Sequence, residues 1–275
     1  MKLANYSSFE DKKQSVHGKW KVVKTGDIDE MFKFFHYVVD KKGGNGEIHR
    51  GVNEAAYKMY TSSQREWAND CSDTCYIDFL TFKLDEIKKW NNGLLQEYLT
   101  YYNRNFGGND IAYFSIMQHY GGIAPLLDFT ENPFCALFFA SKDADKCYFD
   151  DNLDDIRNFF SIYSIEWRQY AEYTKNLTDL TLVDFSTDNV YNIGIDVVNN
   201  NLNIIAQKGV FFLNTSSTLD LISVLKKNEP DKRFFYCYNI HKSLAAKVRK
   251  KLKEEEGITK KTLFPNFSDF FDNAD

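Results

Sequence analysis

Most side chains able to do chemistry lie in a short central stretch, residues 118–131, with two further candidates far away in the chain. An arginine guanidinium presents a planar fork of donors that suits phosphate or carboxylate. Carboxylates and histidines can move protons, and a neutral amide can hydrogen-bond a sugar hydroxyl. The candidate set consists of Arg50, Gln118, His119, Asp128, Thr130, Glu131 and Gln207.

Two of these residues also have purely structural interpretations. Arg50 could form a buried ion pair with Asp128 and tie an early strand to the core without doing chemistry. His119 precedes a glycine turn, where its ring could be a general base or could donate to a nearby carbonyl. The residues alone leave both alternatives open.

The central stretch predicts a helix end, a loop and a helix start. The pair Gly121-Gly122 can close a helix after His119 or Tyr120, because glycine readily adopts the left-handed conformation. Pro133 suits the first turn of the next helix, with Asn132 or Thr130 as its cap. The run Phe134–Ala140 is apolar on every side, which predicts a helix buried in the core.

The rest of the chain alternates between strand and helix patterns, so we predict a mixed α/β fold. In this fold residues 1–275 form one domain with a central sheet flanked by helices. The segment Asn203–Phe212 is β-rich and carries Gln207 on a strand, and the Gly209 that follows it indicates a bulge or a close approach. Predicted strands are Lys19–Thr25, Glu47–Val52, Phe159–Trp167, Val190–Val198 and Arg233–Ile240; predicted helices are Met31–Val39, Leu94–Phe106, Asn109–His119, Leu219–Lys227 and Ser243–Glu255.

Composition limits the classes of function. The 275 residues are 43% hydrophobic and carry a net charge of −5, which favours a globular fold over a protein that coats nucleic acid or an anionic membrane. Local basic clusters leave nucleic acid open as a partner. No apolar run reaches the length of a membrane span and the start of the chain lacks a signal-peptide pattern, so we expect a cytoplasmic protein without membrane association. The five cysteines are scattered, which indicates reduced thiols.

Several segments together resemble the FRG domain family, named for an aromatic-Arg-Gly motif. His49-Arg50-Gly51 is similar to that motif, and the central stretch resembles the family pattern Gln-His-aromatic-Gly followed by Leu-Leu-Asp-aromatic-Thr-x-Asn-Pro. Further similar segments are Met59–Arg65, Ala206–Phe211 and Leu263–Asn266. This chain differs from the usual family residues at His49, Val52 and Ala124-Pro125.

The resemblance implies that the candidate residues meet in space, and it leaves three classes of function. The order of residues is distantly similar to that of ADP-ribosyltransferases: Arg50 would hold a pyrophosphate, Tyr120 or Phe129 would stack on nicotinamide, and Gln207 would contact ribose. Since Gln207 is uncharged, Asp128 or Glu131 would supply the carboxylate. A phosphoester enzyme would instead need a metal held by residues such as Asp128, Glu131 and His119.

The third class is a non-catalytic module that recognises a nucleotide, nucleic acid or protein. FRG domains occur in bacterial proteins associated with phage conflict or effector roles, and such roles imply a protein partner as one alternative. We predict binding of NAD, as a substrate, or of a related nucleotide, with transfer or hydrolysis of ADP-ribose. Arg50, Tyr120, Phe129, Thr130 and Gln118 would bind the ligand, and no metal site is predicted.

Overall fold

The described strands form one mixed sheet of seven strands. The computed structural model describes residues 3–16, 20–23, 27–40, 47–102, 110–166, 185, 187–193, 202–228 and 235–265. The helices are α1 (Phe9–Ser15), α2 (Ile28–Asp40), α3 (Ser62–Asp70), α4 (Tyr76–Lys89), α5 (Leu94–Tyr102), α6 (Asp110–His119), α7 (Pro133–Ser141), α8 (Leu202–Gln207), α9 (Leu221–Asn228), α10 (Ala245–Glu256) and α11 (Lys260–Leu263). The strands are β1 (Trp20–Val23), β2 (Glu47–Val52), β3 (Leu126–Thr130), β4 (Phe159–Glu166), β5 (Val190–Ile193), β6 (Gly209–Asn214) and β7 (Phe235–His241).

The seven described strands follow the order β1-β7-β4-β2-β3-β6-β5. β1 runs parallel to β7, and the remaining pairs of neighbours are antiparallel. The prediction of a mixed α/β fold with a central sheet and flanking helices is therefore confirmed. Within the described ranges, none of these helices has both the length and the apolar character needed to cross a bilayer.

The buried helix predicted from the apolar run is α7. Asn132 caps it by accepting a hydrogen bond from the Phe134 N–H at 3.0 Å, and Pro133 stands in its first turn, as predicted. Every residue of α7 except Phe139 is buried, and the helix packs against β2 and β4 on one side and α10 on another. Phe134 also contacts Phe32 and Phe35 of α2, with ring centroids 5.4 and 6.0 Å apart.

Two predicted elements have to be corrected. The loop expected before α7 contains strand β3, because Leu127 and Phe129 pack into the core on one face while the main chain pairs with β6 over all five residues. The β-rich segment Asn203–Phe212 begins instead as helix α8, with Ile204 buried and Ile205 exposed. Lys208 adopts a positive φ of 47° and ends this helix, so that Gly209 starts β6.

The other predicted elements correspond to described ones. The match is closest for β2, whose bounds are those predicted, and for β4, α2, α6, α9, β7 and α10. Parts of the predictions Lys19–Thr25, Leu94–Phe106, Asn109–His119, Phe159–Trp167, Val190–Val198 and Arg233–Ile240 lie outside the described residues.

Candidate functional site

A cavity of about 810 Å³ opens between β2 and β3. In the described ranges these two strands pair only at His49 and Thr130, whereas β2 pairs with β4 along its full length. The segment 57–60, helix α3 and the end of α6 complete the wall of the cavity. The gap between the strands therefore exposes main-chain and side-chain polar groups that a continuous sheet would cover.

Arg50 reaches across this gap. Its Nη1 donates a hydrogen bond to the main-chain carbonyl of Asp128 at 2.5 Å, and its guanidinium carbon lies 5.9 Å from the centre of the Phe129 ring. Burial lowers the pKa of Arg50; the Asp128 charge opposes that shift and the nearby Arg65 charge adds to it. The guanidinium is therefore partly desolvated where it lines the cavity.

Gly51 fixes the position of Arg50, because β2 passes extremely close to α7 at this point. A Cβ atom at Gly51 would lie 2.0 Å from the Ala136 carbonyl oxygen and 2.7 Å from the Ala140 nitrogen. Both atoms belong to the main chain of a buried helix, which cannot move aside without disturbing the core. The Arg-Gly pair thus combines a cation at the gap with the one residue type that permits this helix contact.

Asp128 and Gln118 form a hydrogen-bonded pair in the cavity lining. Gln118 Nε2 donates to Asp128 Oδ2 at 2.8 Å, while Asp128 Oδ1 and Gln118 Oε1 are buried without a hydrogen-bond partner in the described part of the chain. Arg50 lies within hydrogen-bonding reach of Asp128. The contact uses the carbonyl of Asp128, however, so the buried ion pair considered from the sequence is replaced by a hydrogen bond to the main chain.

Two histidines also line the cavity. His119 stands edge-on to Phe211, with centroids 5.2 Å apart, and burial lowers its pKa although Asp128 opposes that shift. His49 Nδ1 is hydrogen-bonded to Ser164 Oγ at 2.7 Å, and burial lowers the pKa of His49 to about 3. His49 is therefore neutral near pH 7, while the tautomer of each ring depends on its partners.

Unpartnered polar atoms are concentrated at this cavity. Buried polar groups in proteins are normally hydrogen-bonded, so a cluster of exceptions marks a place where another molecule can supply the partners. Among the buried side-chain atoms that have no partner within the described residues, five belong to the cavity lining: His49 Nε2, Arg50 Nε, Gln118 Oε1, His119 Nε2 and Asp128 Oδ1.

The remaining predicted residues divide into two groups. Thr130 and Gln207 line the cavity but are engaged within the fold: Thr130 Oγ1 donates to the Gln207 carbonyl at 2.6 Å, and Gln207 Nε2 donates to the Leu263 carbonyl at 2.9 Å. Tyr120 and Glu131 do not line it. Tyr120 is 72% exposed in the turn that follows α6, and the Glu131 side chain is also exposed.

Arg65 lines the cavity and was absent from the predicted site. Helix α3 begins with a capping box in which Thr61 and Gln64 satisfy each other's main-chain N–H groups. Ser62 links α3 to the start of β3 through hydrogen bonds with both the N–H and the carbonyl of Ala124. Arg65 thereby points towards the cavity, and its Nη1 donates to the Tyr60 carbonyl at 2.5 Å. The capping pattern predicts where α3 begins, but the placement of Arg65 depends on the contact between Ser62 and Ala124.

The metal site considered for a phosphoester enzyme is not assembled by its three proposed ligands. Glu131 lies outside the cavity that Asp128 and His119 line. More generally, no group of three or more histidine, cysteine, aspartate or glutamate side chains within the described ranges is arranged to hold a metal ion.

Fold and cavity together define an α/β domain with a large polar cavity between two strands of its sheet. In a comparison with protein families, residues 45–148 of this chain match the model of the FRG domain. The chain therefore contains an FRG domain, as the motifs around Arg50 and Asp128 indicated. No curated protein and no solved structure matches the chain.

The matched region contributes most of the cavity wall. Residues from outside it complete the lining at two places: Leu3 and Asn5 from the N-terminal segment, and Gln207 and Phe264 from the C-terminal part. Strands β1 and β4–β7 also lie outside the matched residues but belong to the same sheet. Whether residues 1–275 behave as one FRG-like domain stays a prediction.

Proposed function

We propose that this cavity binds NAD or a related nucleotide that contains ADP-ribose. The observation that carries the proposal is the cluster of five buried, unpartnered polar atoms around Arg50 on one cavity. A nucleotide offers the matching groups, since its phosphates accept hydrogen bonds from guanidinium and its sugar hydroxyls both donate and accept. The cavity volume of about 810 Å³ also lies within the range of small-molecule sites, roughly 300–1,000 Å³.

Each part of the ligand has a counterpart in the lining. Arg50 binds phosphate, with Arg50 Nε available for a hydrogen bond. Tyr57 lines the cavity and is 46% exposed, so it can offer a ring face to a base in place of Tyr120. Phe129 is 2% exposed and supports the Arg50 guanidinium rather than presenting an open face.

The reaction assigned to this site is cleavage of the bond between nicotinamide and ribose. Nicotinamide leaves with the bonding electron pair, and positive charge develops on the ribose as in other glycosyl transfers. Asp128 is the one carboxylate among the described residues that line the cavity, and Gln118 orients it. Its anionic oxygens would stabilise that charge while water or an acceptor group attacks the sugar.

A specific observation also favours binding without catalysis. Gln207, which the comparison with ADP-ribosyltransferases assigned to the ribose, is hydrogen-bonded to Leu263, and Glu131 is outside the cavity. The lining therefore holds fewer catalytic groups than the sequence predicted. A recognition module for a nucleotide, nucleic acid or protein is the second candidate function. For both candidate functions, the FRG domain suggests a role in phage defence or in an effector system.

The two candidates are separated by a thermal-shift screen followed by product analysis. NAD, ADP-ribose, ATP and short nucleic acids are each added to the protein; a ligand that binds only the folded state stabilises it by about 2.7 kcal/mol at a hundredfold excess over Kd. We expect NAD and ADP-ribose to raise the melting temperature and NAD to yield free nicotinamide on chromatography. Asp128→Asn should retain the shift and lose the nicotinamide.

Other results of this screen assign the function differently. Stabilisation by NAD without nicotinamide release would support the recognition module. Stabilisation by nucleic acid alone, or by none of the four ligand types, would contradict the proposed nucleotide site.

A further inference from the structure

We infer that Arg50 and Arg65 together form a site for a diphosphate group that runs from the interior of the cavity to its mouth. The inference rests on the proposed nucleotide site. It adds that the diphosphate is the part of the ligand that the site recognises specifically. Arg65 is exposed at the cavity edge, whereas Arg50 lies in the gap between β2 and β3. The two charges are close enough that Arg65 lowers the pKa of Arg50.

Both guanidinium groups are positioned in the same way. Arg50 donates to the carbonyl of Asp128 and Arg65 to the carbonyl of Tyr60, each at 2.5 Å. A carbonyl fixes the orientation of a guanidinium but leaves its positive charge unneutralised. Because a guanidinium has five N–H donors, one such contact leaves the rest of the fork for an anion.

The other arginines in the described ranges are arranged differently. Arg157 and Arg249 each form two-point ion pairs with a carboxylate, Asp155 and Asp145 respectively. By contrast, no carboxylate lies within ion-pair distance of Arg50 or Arg65 in the part of the chain that is described. Among the described arginines, Arg50 and Arg65 are therefore the two whose positive charge can pair with a bound anion.

The charge of the lining fits a diphosphate. Among the lining residues that the structure describes, Arg50, Lys58 and Arg65 are cationic and Asp128 is the one carboxylate, which leaves an excess of two positive charges. A diphosphate diester, as in NAD or ADP-ribose, carries about two negative charges. An anion between Arg50 and Arg65 would also relieve the repulsion between their guanidinium groups. A diphosphate offers one phosphate to each arginine, whereas a monophosphate has a single phosphate for the two.

The test compares ligands of different phosphate content on matched arginine variants. Calorimetric titrations use ADP-ribose, inorganic pyrophosphate and AMP with the full chain as wild type, Arg65→Met, Arg65→Lys and Arg157→Met. We expect Arg65→Met to weaken ADP-ribose and pyrophosphate about tenfold to hundredfold, the size of a lost charged hydrogen bond. AMP should change less than about threefold, because it contacts Arg50 alone.

The two control variants make the result specific. Arg65→Lys keeps the charge but loses the planar fork, so its affinity for ADP-ribose should lie between those of the wild type and Arg65→Met. Arg157→Met removes an arginine that is paired with Asp155 away from the cavity, and it should bind all three ligands as the wild type does. Melting temperatures of all variants show whether each one is folded.

Outcomes that overturn the inference differ from those that overturn the nucleotide site. If the wild type binds ADP-ribose and the folded Arg65→Met variant binds it equally well, Arg65 has no part in recognition and the diphosphate site is rejected. If Arg65→Met does not fold, the same comparison is made with Arg65→Lys. Equal weakening of AMP and ADP-ribose by Arg65→Met would also reject it. If the wild type binds none of the three ligands, the proposed nucleotide site is rejected together with the diphosphate site.

Discussion

His49 is a neutral, buried residue of the motif next to the charged Arg50. Its ring is fully buried one position before Arg50, and its Nδ1 is hydrogen-bonded to Ser164. Burial disfavours the protonated ring and lowers its pKa to about 3. A neutral imidazole at this position avoids placing a second buried cation beside the arginine.

The buried imidazole makes stability depend on pH. In the unfolded chain His49 takes up a proton below about pH 6.5, whereas in the folded protein it stays neutral down to about pH 3. The unfolded state then binds more protons, so the free energy of unfolding falls as pH decreases between these values, by roughly 1.4 kcal/mol per pH unit from this residue.

His49→Phe should remove this acid sensitivity. Equilibrium unfolding in urea at pH 7 and pH 5 should show the wild type losing about 2 kcal/mol more than the variant on acidification. Ser164→Ala is the matched control, because it removes the hydrogen-bond partner but keeps the imidazole and hence the acid-dependent loss. Equal pH dependence in wild type and His49→Phe would show that His49 is not held neutral by burial.

At the scale of elements, the contact between β2 and α7 determines where the cavity can form. Gly51 allows the strand to touch the main chain of α7, and on one side β2 pairs with β4 along its full length. On its other side β2 departs from β3 after His49 and Thr130. The close contact and the gap thus lie on neighbouring residues of one strand.

Gly51→Ala tests this packing. The added methyl group would fall 2.0 Å from the Ala136 carbonyl oxygen, so the strand or helix must shift, at a cost of about 3 kcal/mol or more. Gly209→Ala provides the control, since its nearest neighbour would be 3.5 Å away and the change should stay below about 1 kcal/mol. A free energy of unfolding for Gly51→Ala within 1 kcal/mol of the wild type would contradict the close contact.

The same elements show what sequence patterns can and cannot predict. α7 and β2 were predictable because their signals are local: an apolar run after Asn132-Pro133, and a short strand that ends next to a required glycine. β3 was not: its apolar and polar residues alternate over only four positions, Leu127 to Thr130, between turn-forming segments, and its main chain is stabilised by pairing with β6, a distant segment. α8 was mistaken for a strand because its isoleucines favour β structure unless tertiary packing decides otherwise.

The predicted site was limited in the same way. Arg50, Gln118, His119 and Asp128 carry local motif signals and do come together at the cavity. Tyr120 is adjacent to His119 in the chain, but the positive φ of 79° at Gly121 belongs to a turn in which Tyr120 faces outward. Arg65 could be placed at the cavity only once the position of α3 against β3 was known.

At the scale of the whole molecule, distant parts of the chain close the cavity. The N-terminal segment is held by a hydrogen bond from the Tyr6 N–H to the Ala56 carbonyl, and by buried Lys12, which donates to Ser161 and Asn239. The C-terminal side is held by the bond from Gln207 to Leu263. These contacts bring Leu3, Asn5 and Phe264 to the wall of a cavity whose five unpartnered polar atoms belong to the residues that match the FRG domain.

The central claim is that Arg50 is positioned for a nucleotide rather than for the fold alone. Calorimetric titration of the wild type and Arg50→Ala with ADP-ribose and with NAD tests this claim most directly. Urea unfolding of both proteins is measured in parallel, and Arg157→Ala is the control variant. We predict measurable binding by wild type and Arg157→Ala, and affinity at least about tenfold lower for Arg50→Ala, which loses charged hydrogen bonds worth about 1.5–3 kcal/mol. The fold should persist. Absence of binding by wild type at millimolar ligand, or an Arg50→Ala protein that loses stability but binds as the wild type does, would contradict the claim.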